Sequence, residues 1–480
     1  MNTASNAQSG TLDTTFDPGT GLEGSSDPKV NAMVLLEDGK ILLGGHSTTY
    51  NGETFKNLGR VNEDGSNDTS FKQYPLWLNN SYIYDIALQP DGRFLVGGQF
   101  VNAGALTAIG RFHANGLPDT TFHDKSDDFN IVNAIAIQAD GKILIGGRFS
   151  RYAGKDRLNI ARLNTDGSLD STFNSSGGGA GIVNQTIEEV RSIVVQQDQK
   201  ILIGGTFSKY KGDVHKYLLR LNEDGSIDES FNMGTGISGI VNCLALYPDE
   251  KIFVGGDFIQ YQGLSRYRLA RIQPNGVIDS SFNPAAFTPY ASISGTNREV
   301  YNVLLQPDGK IIVGGNFSKY NNVIRKGIVR INADGSPDNT FTIGGGIQVG
   351  NGDDGDVYEM VLQPDGKVVV GGAFVKYNNI PRNNIVRLNG DVGSPTGLQL
   401  HTDNQLFQLY PNPAGDHVRI ITPLEKLNYQ VSDISGKIVL AGQSGKNNTT
   451  IDLSTLANGI YFVLGNANDR LLSKKLIVSR

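Results

Sequence analysis

One pattern is written seven times along this chain, and it limits the possible folds more than any bulk property does. The copy from Val132 to Phe173 reads VNAIAIQADGKILIGGRFSRYAGKDRLNIARLNTDGSLDSTF. A Gly-Gly pair recurs at 44–45, 97–98, 146–147, 204–205, 255–256, 314–315 and 371–372, at intervals of 49 to 59 residues by subtraction. A fixed period of this kind signals an array of supersecondary units and overrides a domain count taken from length.

Within one copy, Val132 to Gln138 reads as a short buried strand. Ala139-Asp140-Gly141 turns the chain; other copies have Pro90, Pro307 or Pro364 before the Asp-Gly, with Pro setting φ and Gly accepting φ > 0. Lys142 to Phe149 follows as a second strand, whose bare Gly146-Gly147 marks the close approach of another backbone. A third strand, Asn159 to Asn164, meets the turn Thr165-Asp166-Gly167, and Leu169 to Phe173 reads as a fourth. Four antiparallel strands in a unit of about fifty residues describe one blade of a β-propeller.

Register adds detail. If Asn164 pairs with Ser168 across the turn, Arg162 stands opposite Asp170. The same arithmetic opposes Arg60 to Asp68, Arg111 to Asp119, Arg220 to Asp228, Arg271 to Asp279 and Arg330 to Asp338, and reads as structural rungs, not a site. The seventh copy has Arg387 but no Asp-x-x-Phe after it. The missing piece stands in SGTLDTTF, residues 9–16. The N-terminal segment is therefore predicted to complete the last blade, with Asp13 facing Arg387 and no free strand edge left on the ring. The predicted fold class is all-β: a seven-bladed propeller over residues 1–392, a linker at 393–405 and a small β-sandwich at 406–480.

The unit Gln-Pro-Asp-Gly-Lys…Gly-Gly…Arg-x-Asn-x-Asp-Gly-Ser-x-Asp-x-x-Phe resembles the delta-60 repeat family of bacterial propeller-like proteins, over nearly all of residues 9–391. That resemblance implies a fold and a bacterial origin, and no activity. In the tail, Tyr410–Ala414, Asp433–Lys437, Leu456–Tyr461 and Lys474–Leu476 stand in the order found in the type A sorting domain of the Bacteroidota type IX secretion system. It implies that residues 406–480 address the chain to the secretion machinery, and that the cargo reaches the cell surface or is released. The departure from the pattern is the N-terminus: MNTASNAQSG has neither a basic region nor an apolar core, and the signal peptide is read as trimmed.

Bulk properties exclude some classes. A net charge of −6 argues against nucleic acid as a partner. No apolar run approaches the roughly 18 residues of a membrane span. The lone Cys243 has no internal disulfide partner and reads as apolar filler. A monomer is expected.

Function is expected where the repeat is broken, since packing does not require those residues. At the second residue of each first strand stand Asn31, Tyr84, Asn133, Arg191, Asn242, Tyr301 and Tyr358; the next position holds Ala32, Asp85, Ala134, Ser192, Cys243, Asn302 and Glu359. Both sets are predicted to ring the channel mouth on the loop face. Tyr84, Asp85, Arg191, Tyr301, Asn302, Tyr358 and Glu359 form the candidate binding pocket, against the plainer reading of a polar, water-filled channel. In blades three to seven the loops after the second strand carry thirteen Lys and Arg against Asp156 and Asp213. A Tyr recurs there at 50, 152, 210, 261, 320 and 377. These read either as an aromatic, cationic surface for an anionic polymer or as packing and a solvated face.

Six histidines without metal-ligand spacing, and no nucleophile elbow, give catalysis little support. Asp85 and Glu359 are the one candidate acid pair for polysaccharide cleavage, although blade one lies between them. Asp353, Asp354 and Asp356 form an oxygen-rich loop that is a weak candidate for Ca²⁺ and lacks EF-hand spacing. The reading is a secreted or cell-surface protein that binds a glycan or surface partner through its loop face. A polysaccharide hydrolase or lyase and a purely structural or adhesive module stand as alternatives.

Overall fold

The structure, a computed structural model, describes residues 8–72, 81–102, 105–127, 130–181, 188–247, 249–288, 299–350 and 354–391, and in the tail 408–410, 414–421, 427–433, 438–444, 449–457, 459–467 and 470–478. The predicted linker, Asp353, and parts of the tail motifs (411–413, 434–437 and 458) lie outside the described residues. The chain divides into two compact units, Met1–Gln363 with Lys367–Val392, and Gly393–Arg480 with Pro364–Gly366.

Seven three-stranded antiparallel sheets repeat through the first unit, typified by Ile131–Ile137, Ile143–Arg148 and Ile160–Leu163. The Gly-Gly pair explains how they pack. A Cβ on Gly146 would lie 2.6 Å from Val190 Cγ1 of the next blade, and one on Gly371 of blade seven would lie 2.7 Å from Val30 Cγ1 of blade one. The first glycine is thus the socket for the following blade. The second has a different constraint: a Cβ on Gly147 would overlap the Ile131 carbonyl oxygen across the hairpin. The first strand is bulged there, between Val132 and Ala134, and the same shift occurs in all seven blades.

The predicted fourth strand is not one. Leu169 makes a single bridge to Leu163, and the chain then turns away. The cause is Asp170, whose Oδ1 accepts from the Thr172 N–H at 2.9 Å and the Thr172 hydroxyl at 2.6 Å, a local alternative to a ladder. Its other oxygen serves the rung: Arg162 Nε donates to Asp170 Oδ2 at 2.8 Å, and Lys142 lies 3.1 Å from it. Arg162 also donates to the Glu223 carbonyl of the next blade, and the Phe173 ring caps the guanidinium with its centroid 4.9 Å away. Asp-x-x-Phe therefore encodes an acid, a turn and a lid over one buried cation. The arginines of blades one, two, four and five reach the next blade's turn in the same way, as Arg60 does to the Ala114 carbonyl at 2.6 Å.

Blade seven takes these parts from both ends of the chain. Leu12 bridges Leu388, Asn389 N donates to Thr11 O at 2.8 Å, and Gly10 N returns a bond to Asn389 O at 2.8 Å. Arg387 Nε donates to Asp13 Oδ2 at 2.6 Å, Lys367 lies 3.1 Å from the same oxygen, and the Phe16 centroid is 5.0 Å from the guanidinium. Arg387 also donates to the Glu63 carbonyl of blade one.

The loop tyrosines belong to this framework. Tyr50, Tyr152, Tyr210, Tyr261, Tyr320 and Tyr377 are all buried. Each hydroxyl donates to the carbonyl of a turn glycine, as Tyr210 does to Gly225 at 2.7 Å; in blade seven that glycine is Gly10. The aromatic half of the loop-surface reading is overturned, because these rings pin the loop hairpins to the blades. In the tail unit, a three-stranded sheet (Gln408–Tyr410, His417–Ile421, Thr449–Asp452) and a four-stranded one (Ile438–Ser444, Leu427–Asp433, Gly459–Ala467, Arg470–Val478) enclose a core that includes Val418, Ile420, Val431, Val463 and Leu476.

Candidate functional site

The bulge positions the candidate side chains. One extra residue leaves the ladder unpaired and re-aims its side chain; here that residue is the one between Val132 and Ala134 and its equivalents. Because the bulge sits opposite the Gly-Gly pair, it lies at the end of the sheet away from the Asp-Gly turn. Three blades use it structurally. Asn31, Asn133 and Asn242 donate to the carbonyls of Ile83, Val190 and Val300, each in the next blade, at 2.8 to 3.3 Å. The other four hold Tyr84, Arg191, Tyr301 and Tyr358.

These do not form a single cluster. Tyr301 and Tyr358 meet with ring centroids 5.3 Å apart, and Tyr358 donates to Asp356 Oδ2 at 2.7 Å. Beneath them Asn302 Nδ2 donates to Glu359 Oε1 at 2.8 Å. Arg191 binds Glu189 Oε1 and Asn242 Oδ1, both at 2.7 Å, and lies 4.0 Å from Glu299. Tyr84 stacks on Tyr82 at 6.1 Å, and Tyr82 stacks on His46 at 4.2 Å. Asp85 turns toward the next blade, accepting from the Ile135 N–H at 2.6 Å and its neighbour's, Ile86, at 2.8 Å.

Several residues here were missed by the sequence reading: His46, Tyr82, Glu189, Glu299 and Asn316; Asp356 was read only as a candidate cation ligand. They occupy the entry to the first strand (Glu189 just before it, Tyr82 and Glu299 as its first residue) and the residue after the Gly-Gly pair, and Glu299 faces Asn316 across the ladder. The available signal was variation: the strand entry holds Lys29, Tyr82, Ile131, Glu189, Ile240, Glu299 and Asp356 in the seven copies.

Asp85 and Glu359 are carboxyls in an enclosed place. Burial pushes Asp85 up to about 6. Burial first, and then the negative charge of Asp85, push Glu359 up to about 8 against the hydrogen bond from the Met360 N–H. Both, however, are committed to inter-blade or backbone hydrogen bonds, which is the posture of ties more than of an acid and base facing a substrate. A carboxyl that holds its proton more tightly folded than unfolded loses stabilising power as pH rises from the unfolded value toward the folded one. Glu359 therefore weakens the fold between about pH 4.5 and 8. Glu359→Gln is expected to raise the melting temperature at pH 8.5 and to leave it nearly unchanged at pH 4.5; equal shifts at both pH values would remove the ionisation account. Cys243 stands on the same ring of positions, and burial pushes its thiol up to about 12, which leaves it unreactive.

The candidate cation loop is divided. Asp354 engages Ser318 and Lys326, while Asp356 engages Asn316 and Tyr358. Among the described residues no group of three or more His, Cys, Asp or Glu gathers as a metal site.

Comparison with known proteins follows the architecture. The family model described as a domain of unknown function (DUF5122) beta-propeller matches residues 36–71, 89–122, 138–173, 196–231, 248–282, 306–341 and 363–394, together just over half of the chain. The secretion system C-terminal sorting domain matches residues 408–479. No curated protein matches. Among solved structures, the chain is similar to PorZ, a surface component of the type IX secretion system of Porphyromonas gingivalis, at 15% identity and TM-score 0.41, covering 95% of this chain and 60% of that one. It is also similar to virginiamycin B lyase from Staphylococcus aureus, at 15% identity and TM-score 0.40, covering 77% and 98%. A third likeness is to a gluconolactonase from Xanthomonas campestris, at 11% identity and TM-score 0.35, covering 78% and 99%. The chain thus spans 60% of the length of PorZ. With seven repeats matched and a sorting domain behind them, this chain belongs to the DUF5122 β-propeller family and is a secreted or outer-membrane surface protein of the type IX route.

Proposed function

We propose that the propeller, residues 1–392, is a recognition module that binds a glycan at the channel mouth, while the tail at 406–480 engages the export machinery. The observation that supports this reading is where the accessible aromatics stand. The loop tyrosines are buried, whereas Tyr82, Tyr84, Tyr301 and Tyr358 are only half-buried and line one end of the ring. Each pair has a carboxylate or cation beside it: Asp356, Glu299 and Arg191 by Tyr301 and Tyr358, Glu189 and Arg148 toward Tyr84. Flat aromatic faces bordered by hydrogen-bonding charges suit a ring that is apolar on its faces and hydroxylated at its edge.

Affinity electrophoresis of the full chain through gels of neutral and anionic polysaccharides tests the proposal. Retardation by at least one polymer is expected, and Tyr301→Ala is expected to weaken it roughly tenfold, the usual effect of removing an aromatic anchor. Retardation by none, or retardation indifferent to Tyr301→Ala and Tyr84→Ala, rejects the site. Release of oligosaccharides, abolished by Glu359→Gln, would replace recognition by cleavage.

A further inference from the structure

A second surface stands independently of the channel mouth. In blades one and three to seven the loop after the second strand folds into a small hairpin, and the buried tyrosine pins one of its strands. The other strand is left facing solvent. In blades one and three that outer strand reads Glu53-Thr54 and Lys155-Asp156. In blades four to seven it changes character: Val214 is 67% exposed, Leu264 47%, Val323 47%, Ile324 43% and Ile380 40%.

The neighbour across each hairpin decides what such a surface is for. Lys209 is directly opposite Val214, Lys319 opposite Ile324, and Lys376 opposite Pro381. In blade three the corresponding base, Arg151, faces Asp156 and pairs with it at 3.7 Å. The hairpins of blades four to seven (209–214, 260–265, 319–324 and 376–381) contain one acidic residue, Asp213. Three of the four hairpins therefore repeat one device: a lysine across the strand from an apolar tip.

We propose that this apolar and cationic rim docks the propeller onto an anionic lipid surface. An aliphatic tip enters the boundary between headgroups and acyl chains, and a lysine beside it keeps its stem apolar and its ammonium at the level of the lipid phosphates. A soluble polysaccharide gains nothing from exposed valine and isoleucine. One folded partner would be met by a gathered patch, whereas these tips are distributed over four successive blades. A broad, negatively charged, deformable surface fits both facts, and the address in the tail delivers the chain to membrane surroundings.

The test is cosedimentation of the full chain with phosphatidylcholine vesicles, with and without phosphatidylglycerol. Binding is expected only to the anionic vesicles and is expected to weaken as salt rises. Lys209→Gln/Lys319→Gln/Lys376→Gln is expected to weaken it roughly a hundredfold, from about 1 kcal/mol per lysine near a charged surface. Val214→Asn/Leu264→Asn/Val323→Asn/Ile380→Asn is expected to weaken it as strongly while its melting temperature stays that of the parent, since these side chains already face water. Absence of binding, equal binding to neutral vesicles, or binding that survives both sets overturns the proposal. So does concentration-dependent self-association lost in the asparagine set, which would make the rim a protein interface.

Discussion

Replacing Asp13 by alanine is expected to cost roughly 3–5 kcal/mol, the cost of leaving a buried partner charge uncompensated. Asp13 is buried and accepts from Arg387 at 2.6 Å with Lys367 3.1 Å away, so its removal leaves two cations in a place built for a neutralised group. Its carboxyl is held down to about 2, against burial, by hydrogen bonds from Thr15, Lys367 and Arg387. A carboxyl with a depressed folded value stabilises above its unfolded pKa and loses that contribution as pH falls through the folded one. The gap between wild type and Asp13→Ala is thus expected to be full at neutral pH and to close between about pH 4 and 2. Denaturant titration at pH 7 and pH 2.5 measures both parts. A loss below about 1 kcal/mol at pH 7 would mean that the N-terminal segment only decorates blade seven.

The second large effect separates two adjacent glycines. Gly147→Ala is expected to destabilise by more than the 1–3 kcal/mol usual for overpacking, because its Cβ meets a backbone carbonyl that the bulge fixes in place. Gly146→Ala meets the Val190 side chain at 2.6 Å, which a rotamer change partly relieves, so a loss within that ordinary range is expected. Paired thermal melts decide. Equal losses would show that blade–blade packing, and not the bulge, governs both positions.

Much of this architecture was legible because it is periodic. Arg162 opposite Asp170 follows from counting residues around a two-strand turn, and the Arg387–Asp13 pair follows from asking which copy lacks a piece. The fourth strand was misread because Leu169 to Phe173 has a strand-like alternation, while the Asx-type bonds of Asp170 to Thr172 are invisible to periodicity. The candidate site was legible only as a departure from the repeat. Tyr84, Arg191, Tyr301 and Tyr358 stand out against asparagines with a structural duty. Glu299 escaped notice because it opens a strand, where a polar residue is unremarkable, and Asp356 was read only as a candidate cation ligand. The fate of the loop tyrosines depended on a hydroxyl finding a carbonyl fifteen residues later, as Tyr210 finds Gly225.

The junction of Asp13 with Arg387 joins residues separated by 374 positions. That separation imposes an order in time. Six blades can condense from neighbouring sequence as the chain becomes available, but the seventh must wait for a segment from the opposite end, and loop closure over such a span is slow. Until Arg387 is present, residues 9–16 have no sheet to join and the ring stays open, with unpaired edges of the kind that aggregate. Closure is therefore a late event in folding: an open array and a sealed ring are mutually exclusive states, and the last blade to assemble commits the molecule to the second.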